Sequence, residues 1–290
     1  MVKVVCKHQS VLGEGPLWDE RRQILYWVDI RNGAVHQWNA RMSQFKSTNF
    51  GGRVGAVALC EDDQLLVAKD DGVVLLNEIT GKPQKGQLPE HEILKFRFND
   101  GKCDPLGHFW IGGMSDDEQP GVGCLYTMND RFVFKEIMHG LTIPNGMAWD
   151  IRLHRFYFID TPTLNIMSYY YDIVSGQITD PRIAFSICPT DGYPDGMAID
   201  TEGMLWIALW DGWKVARYDP GTGKMVCSIS LPVARVTSCT FGGAALTDLY
   251  ITTAKAGLTE EELKKQPLAG SLFVVQDCGA KGLNGYRFKR

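Results

Sequence analysis

Apolar residues in this chain come in short bursts rather than in long stripes. QILYWVDI (23–30), QLLVAKD (64–70), HFWIGG (108–113), RFYFIDT (155–161), MLWIALW (204–210) and DLYITTA (248–254) each mix aromatic with β-branched side chains and follow a polar turn. Such runs are strands. Helical spacing is nearly absent; the exception, LTEEELKKQP (258–267), reads as a short surface helix stopped by Pro267. The segment before each burst repeats. EGPLWD (14–19), VGAVAL (54–59), NDGKCD (99–104), NGMAWD (145–150), DGMAID (195–200) and TSCTFG (237–242) fit one six-residue frame, whose starts are 40, 45, 46, 50 and 42 residues apart. A period of about 40–50 residues with several strands per unit indicates a β-propeller. The expected fold is therefore all-β: a six-bladed propeller forming a single domain over residues 1–290. Its first strand (2–10) should complete the last blade (271–289) and close the ring. The second and sixth frames are the weakest, because they lack the Asp that ends the other four. A β-sandwich also alternates strands and turns, but would not show this long-range self-similarity.

The innermost strands of a propeller run along a central channel, so equivalent positions converge. The first frame position gives Glu14, Val54, Asn99, Asn145, Asp195 and Thr237, while later positions are mostly apolar. IPNGMAWD (143–150) and YPDGMAID (193–200) show the contrast best: the scaffold P-x-G-M-A-x-D is kept and only Asn145 is exchanged for Asp195. Asn-Gly and Asp-Gly are also turn dipeptides, which would explain each pair taken alone. Glu14 is not a turn former, yet it occupies the same slot. Two carboxylates converging beside amide oxygens repel unless a charge neutralises them. A hard divalent cation does so with the oxygen ligands it prefers, and no His or Cys lies in the ring to suggest a thiolate or imidazole zinc site.

Composition narrows the partners. A net charge of −4 and a pI near 5.9 give no support to a nucleic-acid or membrane-surface partner. No apolar run approaches the roughly 20 residues that span a bilayer, and MVKVVCKHQSVLG lacks the apolar core of a signal peptide. The eight cysteines are scattered without a C-x-x-C pair, which predicts buried reduced thiols and a cytoplasmic location. Trp18, Trp149 and Trp206 read as blade packing. Trp210 and Trp213 lie past a strand, where a rim contact with substrate is open. The six histidines (His8, His36, His91, His108, His139, His154) read as surface or turn residues.

GEGPLWD (13–19), RFNDGKCDPLGHFWIGGM (97–114), IPNGMAWD, YPDGMAIDTEGMLWIALW, SCTFGG (238–243) and LYITTA (249–254), in this order, resemble the SMP-30/gluconolactonase/luciferin-regenerating-enzyme family along almost the whole chain. The resemblance implies one divalent cation in the channel (Ca, Zn, Mg or Mn), with Glu14, Asn145 and Asp195 as ligands. It also implies Asp195 as general base and Arg97 and Asn99 as a substrate-binding pair. Regucalcin-type members carry a Glu shortly after the Met of this blade; here MSDDEQPG offers Asp117 at that position, with Glu118 next. An open hard cation polarises a carbonyl and lowers the pKa of a bound water, from which Asp195 would take a proton unless it serves as ligand only. The function expected is hydrolysis of a small sugar-acid lactone to the open acid. The lactone would be held by Arg97, Asn99 and Asp117, and the protein would be a monomer or weak homo-oligomer. Three alternatives stay open. One is a same-family enzyme for another substrate, of luciferin-regenerating or phosphotriester type. Another is a non-catalytic calcium-binding regulatory propeller. The third is a receptor-type binding propeller, suggested only by LYWVDI (25–30).

Overall fold

Each frame lands on the innermost strand of a blade: Gly13–Asp19, Val54–Leu59, Phe96–Cys103, Pro144–Asp150, Tyr193–Ile199 and Val236–Gly242. The computed structural model of the protein describes residues 1–76, 83–85 (backbone only), 88–91 and 95–290. Among these, six sheets of four strands make a six-bladed β-propeller. Within blades 1–5 the strands follow chain order from the channel outward; in blade 1 they are Gly13–Asp19, Ile24–Asp29, Ala34–Asn39 and Gln44–Asn49, all antiparallel. Blade 6 is closed by the other end of the chain: Val2–Gln9 pairs with Ser271–Val275 as its outer strand. The last blade was expected to run to residue 289, but its pairing ends at Val275. The tail then crosses the end of the channel opposite the frame starts, bridging Gly282 to Asp200 and Phe288 to Cys60. Arg287 anchors it, donating from Nη2 to Asp19 Oδ1 at 2.8 Å, and Phe288 is fully buried.

The Asp that ends four of the frames has a mechanical purpose. Asp104 accepts from the amides of Leu106 and His108 and from the Trp110 indole at 2.9 Å. Asp200 does the same with Glu202, Met204 and Trp206. One carboxylate thus fixes a tight turn and latches a buried Trp of the next strand. Trp18, Trp149 and Trp206 sit in the apolar clusters between blades. The glycine after Asn145 and Asp195 is not a turn residue. Gly146 and Gly196 lie inside strands, and a Cβ at Gly196 would come within 2.0 Å of Ser238 Oγ, one at Gly146 within 2.6 Å of the Asp195 carbonyl. They let neighbouring inner strands approach closely.

In all six blades the pairing of the inner with the second strand slips at the first frame position, between Glu14 and Leu17, Val54 and Ala56, Phe98 and Gly101, Pro144 and Met147, Pro194 and Met197, and Val236 and Ser238. A bulge re-aims the side chain it carries. The repeated bulge re-aims this one position, and in four blades it faces the channel mouth, at Glu14, Asn99, Asn145 and Asp195. The helix Glu260–Lys265 begins at Thr259 in a capping box with Glu262. No described helix is long and apolar enough to cross a membrane.

Candidate cation and substrate site

The bulged positions open into a cavity of about 420 Å³ at one end of the channel, a size suited to a small ligand. Glu14, Asn99, Asn145 and Asp195 line it together with Arg97. Two ring members do not join them. Val54 packs in the core between blades 1 and 2, and Thr237 turns away to donate to the Gly13 carbonyl at 2.6 Å.

Each lining residue is held by a neighbour. Asn145 Nδ2 donates to Thr161 Oγ1 at 3.1 Å, and Thr161 Oγ1 donates to the Pro194 carbonyl at 2.8 Å. That fixes the amide so that Asn145 Oδ1 is its free atom, buried and without a partner; Asp195 Oδ1 is likewise buried and unpartnered. Glu14 accepts the Gly15 amide at 3.1 Å. Orphaned buried oxygens are rare and costly. The electrostatics agree. Burial pushes the Glu14 carboxyl well above its ordinary range, with Asp195 and Asp100 adding to the push; burial and then Asp100 do the same to Asp195. Amide and carboxyl oxygens converging in a buried site, without imidazole or thiolate, are the donor set that a hard divalent cation would suit. Glu14, Asn145 and Asp195 fit that group.

Arg97 and Asn99 form a locked pair. Arg97 Nη1 donates to Asn99 Oδ1 at 2.6 Å, Asn99 Nδ2 donates to the Pro144 carbonyl at 2.9 Å, and Arg97 Nε lies 3.3 Å from Asp116 Oδ1. No protein partner takes Arg97 Nη2 among the described residues, so it remains a donor for a ligand. Its carboxylate partner is thus Asp116.

Asp117 is not brought into the site. It is exposed and ion-paired with Lys95 at 2.6 Å, while its neighbours Asp116 and Glu118 line the cavity. The turn after Ser115 explains the difference: Glu118, at φ 55, reverses the chain so that residues 116 and 118 face inward and 117 faces out. Sequence reasoning missed Thr161, Tyr193 and Arg235. Arg235 lies over the Trp210 ring at 4.5 Å, within ion-pair reach of Asp211, and Arg235 and Trp210 both line the cavity. Trp210 lines the cavity; Trp213, though exposed, does not. The histidine reading fails at His36, which is buried in blade 1 because its strand is covered on both faces.

The opposite end is built differently. A cavity of about 100 Å³ is closed there by Leu283–Tyr286. Lys102 spans the channel above it, donating to the Met147 and Met197 carbonyls at 3.0 and 2.8 Å. Its charge offsets Asp100, whose carboxyl is nevertheless raised by burial.

Fold and site together define a six-bladed propeller with an oxygen-lined pocket at one channel mouth. Residues 12–255 match the family described as SMP-30/Gluconolactonase/LRE-like region, and the chain belongs to that family. It is similar to the putative sugar lactone lactonase YvrE of Bacillus subtilis, at 40% identity over 268 residues and 92% of each chain. It is also similar to regucalcin of Danio rerio, at 36% identity over 293 residues, covering 99% of this chain and 98% of the relative. Among solved structures, the calcium-binding protein regucalcin from Agrobacterium tumefaciens superposes with a TM-score of 0.93 at 26% identity, over 99% of this chain and 98% of that one.

Proposed function

We propose that the protein is a divalent-metal-dependent hydrolase that opens a small sugar-acid lactone, such as an aldonolactone, to its acid. The observation that carries this reading is the pair of orphaned oxygens, Asn145 Oδ1 and Asp195 Oδ1, beside the raised Glu14 carboxyl in a cavity of small-ligand size. The likeness to a putative sugar lactone lactonase supports the substrate class. Glu14, Asn145 and Asp195 would hold the cation, which when bound supplies Lewis-acid polarisation of an ester carbonyl and lowers the pKa of water.

The rest is done by side chains. Asn145 contributes a neutral oxygen, kept in register by Thr161. Asp195 sits at the matched position one blade on, and its carboxylate takes the proton from the attacking water as general base. Arg97 presents Nη2 to lactone hydroxyls or to the oxygen on which charge develops, with its fork held by Asn99 and Asp116. Glu118, rather than Asp117, accepts a substrate hydroxyl from the wall. The rim residues Tyr193 and Trp210 cover an apolar edge of the sugar ring.

A second reading, a calcium-binding protein without turnover, draws on the regucalcin relatives. Purified protein supplied in turn with Mg, Mn, Ca and Zn and challenged with a lactone panel separates the two by acid release. The hydrolase reading expects turnover with at least one metal. Tight cation binding with no acid released from any lactone would favour the second.

A further inference from the structure

Outside the channel mouth, one cluster of metal-ligating atoms stands out. Ligand atoms of His8, Asp29 and His36 all lie within 4.8 Å of one another where blade 6 meets blade 1. Asp29 alone needs no further explanation. It accepts the Val11 and Leu12 amides at 2.8 and 3.1 Å, and the side-chain amide of Asn32 at 2.8 Å. Asp160 accepts the Thr142 and Ile143 amides in the same manner, and Asp70 the Arg53 amide, so this carboxylate is a recurring clasp on the segment that enters a blade.

The two imidazoles belong to no such pattern. His36 is 2% exposed. Its Nδ1 lies 2.9 Å from Ser47 Oγ, and its Nε2 is buried without a partner. His8 comes from the N-terminal strand, its ring centroid 4.1 Å from that of His36, and its Nε2 is also buried and unpartnered. When Nδ1–H of His36 donates to Ser47, Nε2 is left as a bare lone pair, the arrangement in which a second-shell bond orients a ligating imidazole. Burial lowers the pKa of both rings, His36 to about 4, which favours the neutral form that metals require. An unpaired buried polar atom is costly, and here two lie on adjacent rings.

We propose that His8 and His36, with Asp29 as the neighbouring carboxylate, form a second metal site, distinct from the channel. It takes an imidazole-preferring ion such as Zn²⁺, Cu²⁺ or Ni²⁺. Nitrogen donors select this class, whereas the all-oxygen set of the channel mouth suits harder ions. The Asn32 side-chain amide is the replaceable bond on Asp29: releasing it leaves Oδ2 held by the Val11 amide alone, with a lone pair for the ion. His8 is only half-buried and admits the ion from the surface. Its strand is the one that closes the ring, so an ion here would pin the N-terminal strand of blade 6 to blade 1.

The test uses tag-free, chelator-treated full-length protein with the Asp195→Ala substitution, which removes the channel donor. Added Zn²⁺ should raise the melting temperature by about 5 °C, and one equivalent of Cu²⁺ should give an electron paramagnetic resonance spectrum split by two nitrogens. His8→Phe, which keeps the stacking on Phe45, should melt within a degree or two of its parent in chelator and lose both responses; His8→Gln should do the same. Two outcomes overturn the site: no Zn²⁺ shift and no two-nitrogen spectrum in the parent, leaving the histidines as a packing pair, or both responses persisting in both His8 variants.

Discussion

The two ends of the channel are lined by the same six strands and have opposite chemistry. At the mouth, bulges aim Glu14, Asn145 and Asp195 inward, and two of their oxygens meet nothing. At the base, Lys102 satisfies carbonyls of two other blades, and the tail residues 282–288 close the opening. The buried cation of the mouth, Arg97, is taken up by Asn99 and Asp116, whereas the buried cation of the base, Lys102, offsets Asp100 and caps two carbonyls. On the proposed function the contrast separates stability from function within a single set of strands: the base ties blades together through Lys102 and the tail, and the mouth keeps two unpartnered oxygens for a cation.

Substitutions at the two ends should therefore fail in different ways. Asp195→Ala is expected to cost more than about 100-fold in kcat with the fold intact, read by steady-state lactone hydrolysis alongside circular dichroism. Near-normal activity would remove Asp195 from the mechanism. Lys102→Met is expected to do the reverse. It leaves two carbonyls and Asp100 uncompensated, so unfolding in urea should show a loss of roughly 2–4 kcal/mol, while kcat of the folded fraction stays within about three-fold.

A pH series probes the charge at the mouth. In chelated protein, Glu14 and Asp195 keep their protons to higher pH when folded than when unfolded. Their contribution therefore favours the fold at low pH and is lost as pH rises past the ordinary carboxylate values of 4.5 and 3.8. A divalent cation binds the ionised forms, so the gain in melting temperature on adding Ca²⁺ should be larger at pH 7 than at pH 5, by a few °C or about that. Glu14→Gln should flatten the difference; an unchanged difference would place the titration elsewhere. The smallest effects test the wall. Glu118→Gln should raise KM several-fold, about 0.5–1 kcal/mol of lost hydrogen bonding, and Asp117→Asn should change it by less than about two-fold. A larger effect at Asp117 would mean that the loop turns over on substrate binding.

Much of this was legible in the sequence because the repeat carries it. The frames of blades 2 and 6, which lack the terminal Asp, still fall on inner strands, since their apolar pattern and spacing survive. Glu14 was found through register alone. What escaped lies outside the frame. Thr161 orients Asn145 from the turn after a second strand, and nothing in RFYFIDT marks that threonine as different. Asp117 was chosen by counting from Met114, but the left-handed residue at Glu118 decides which acid faces inward. Gly146 and Gly196 read as turn formers, although the constraint on them is the neighbouring strand. His36 looked like a surface residue because a blade's third strand is buried only once the next blade packs on it, and the closing tail has no strand pattern to announce it.

The central claim is that the mouth works through a cation held by Glu14, Asn145 and Asp195. The most direct measurement is lactone hydrolysis by exhaustively chelated protein, followed by stepwise addition of Mn²⁺ or Ca²⁺ with calorimetry on the same samples. The account predicts negligible acid release at the start, recovery that saturates near one equivalent, and loss of both heat and recovery in Glu14→Gln/Asp195→Asn. Full activity in the chelated protein, unchanged by either ion, would contradict it.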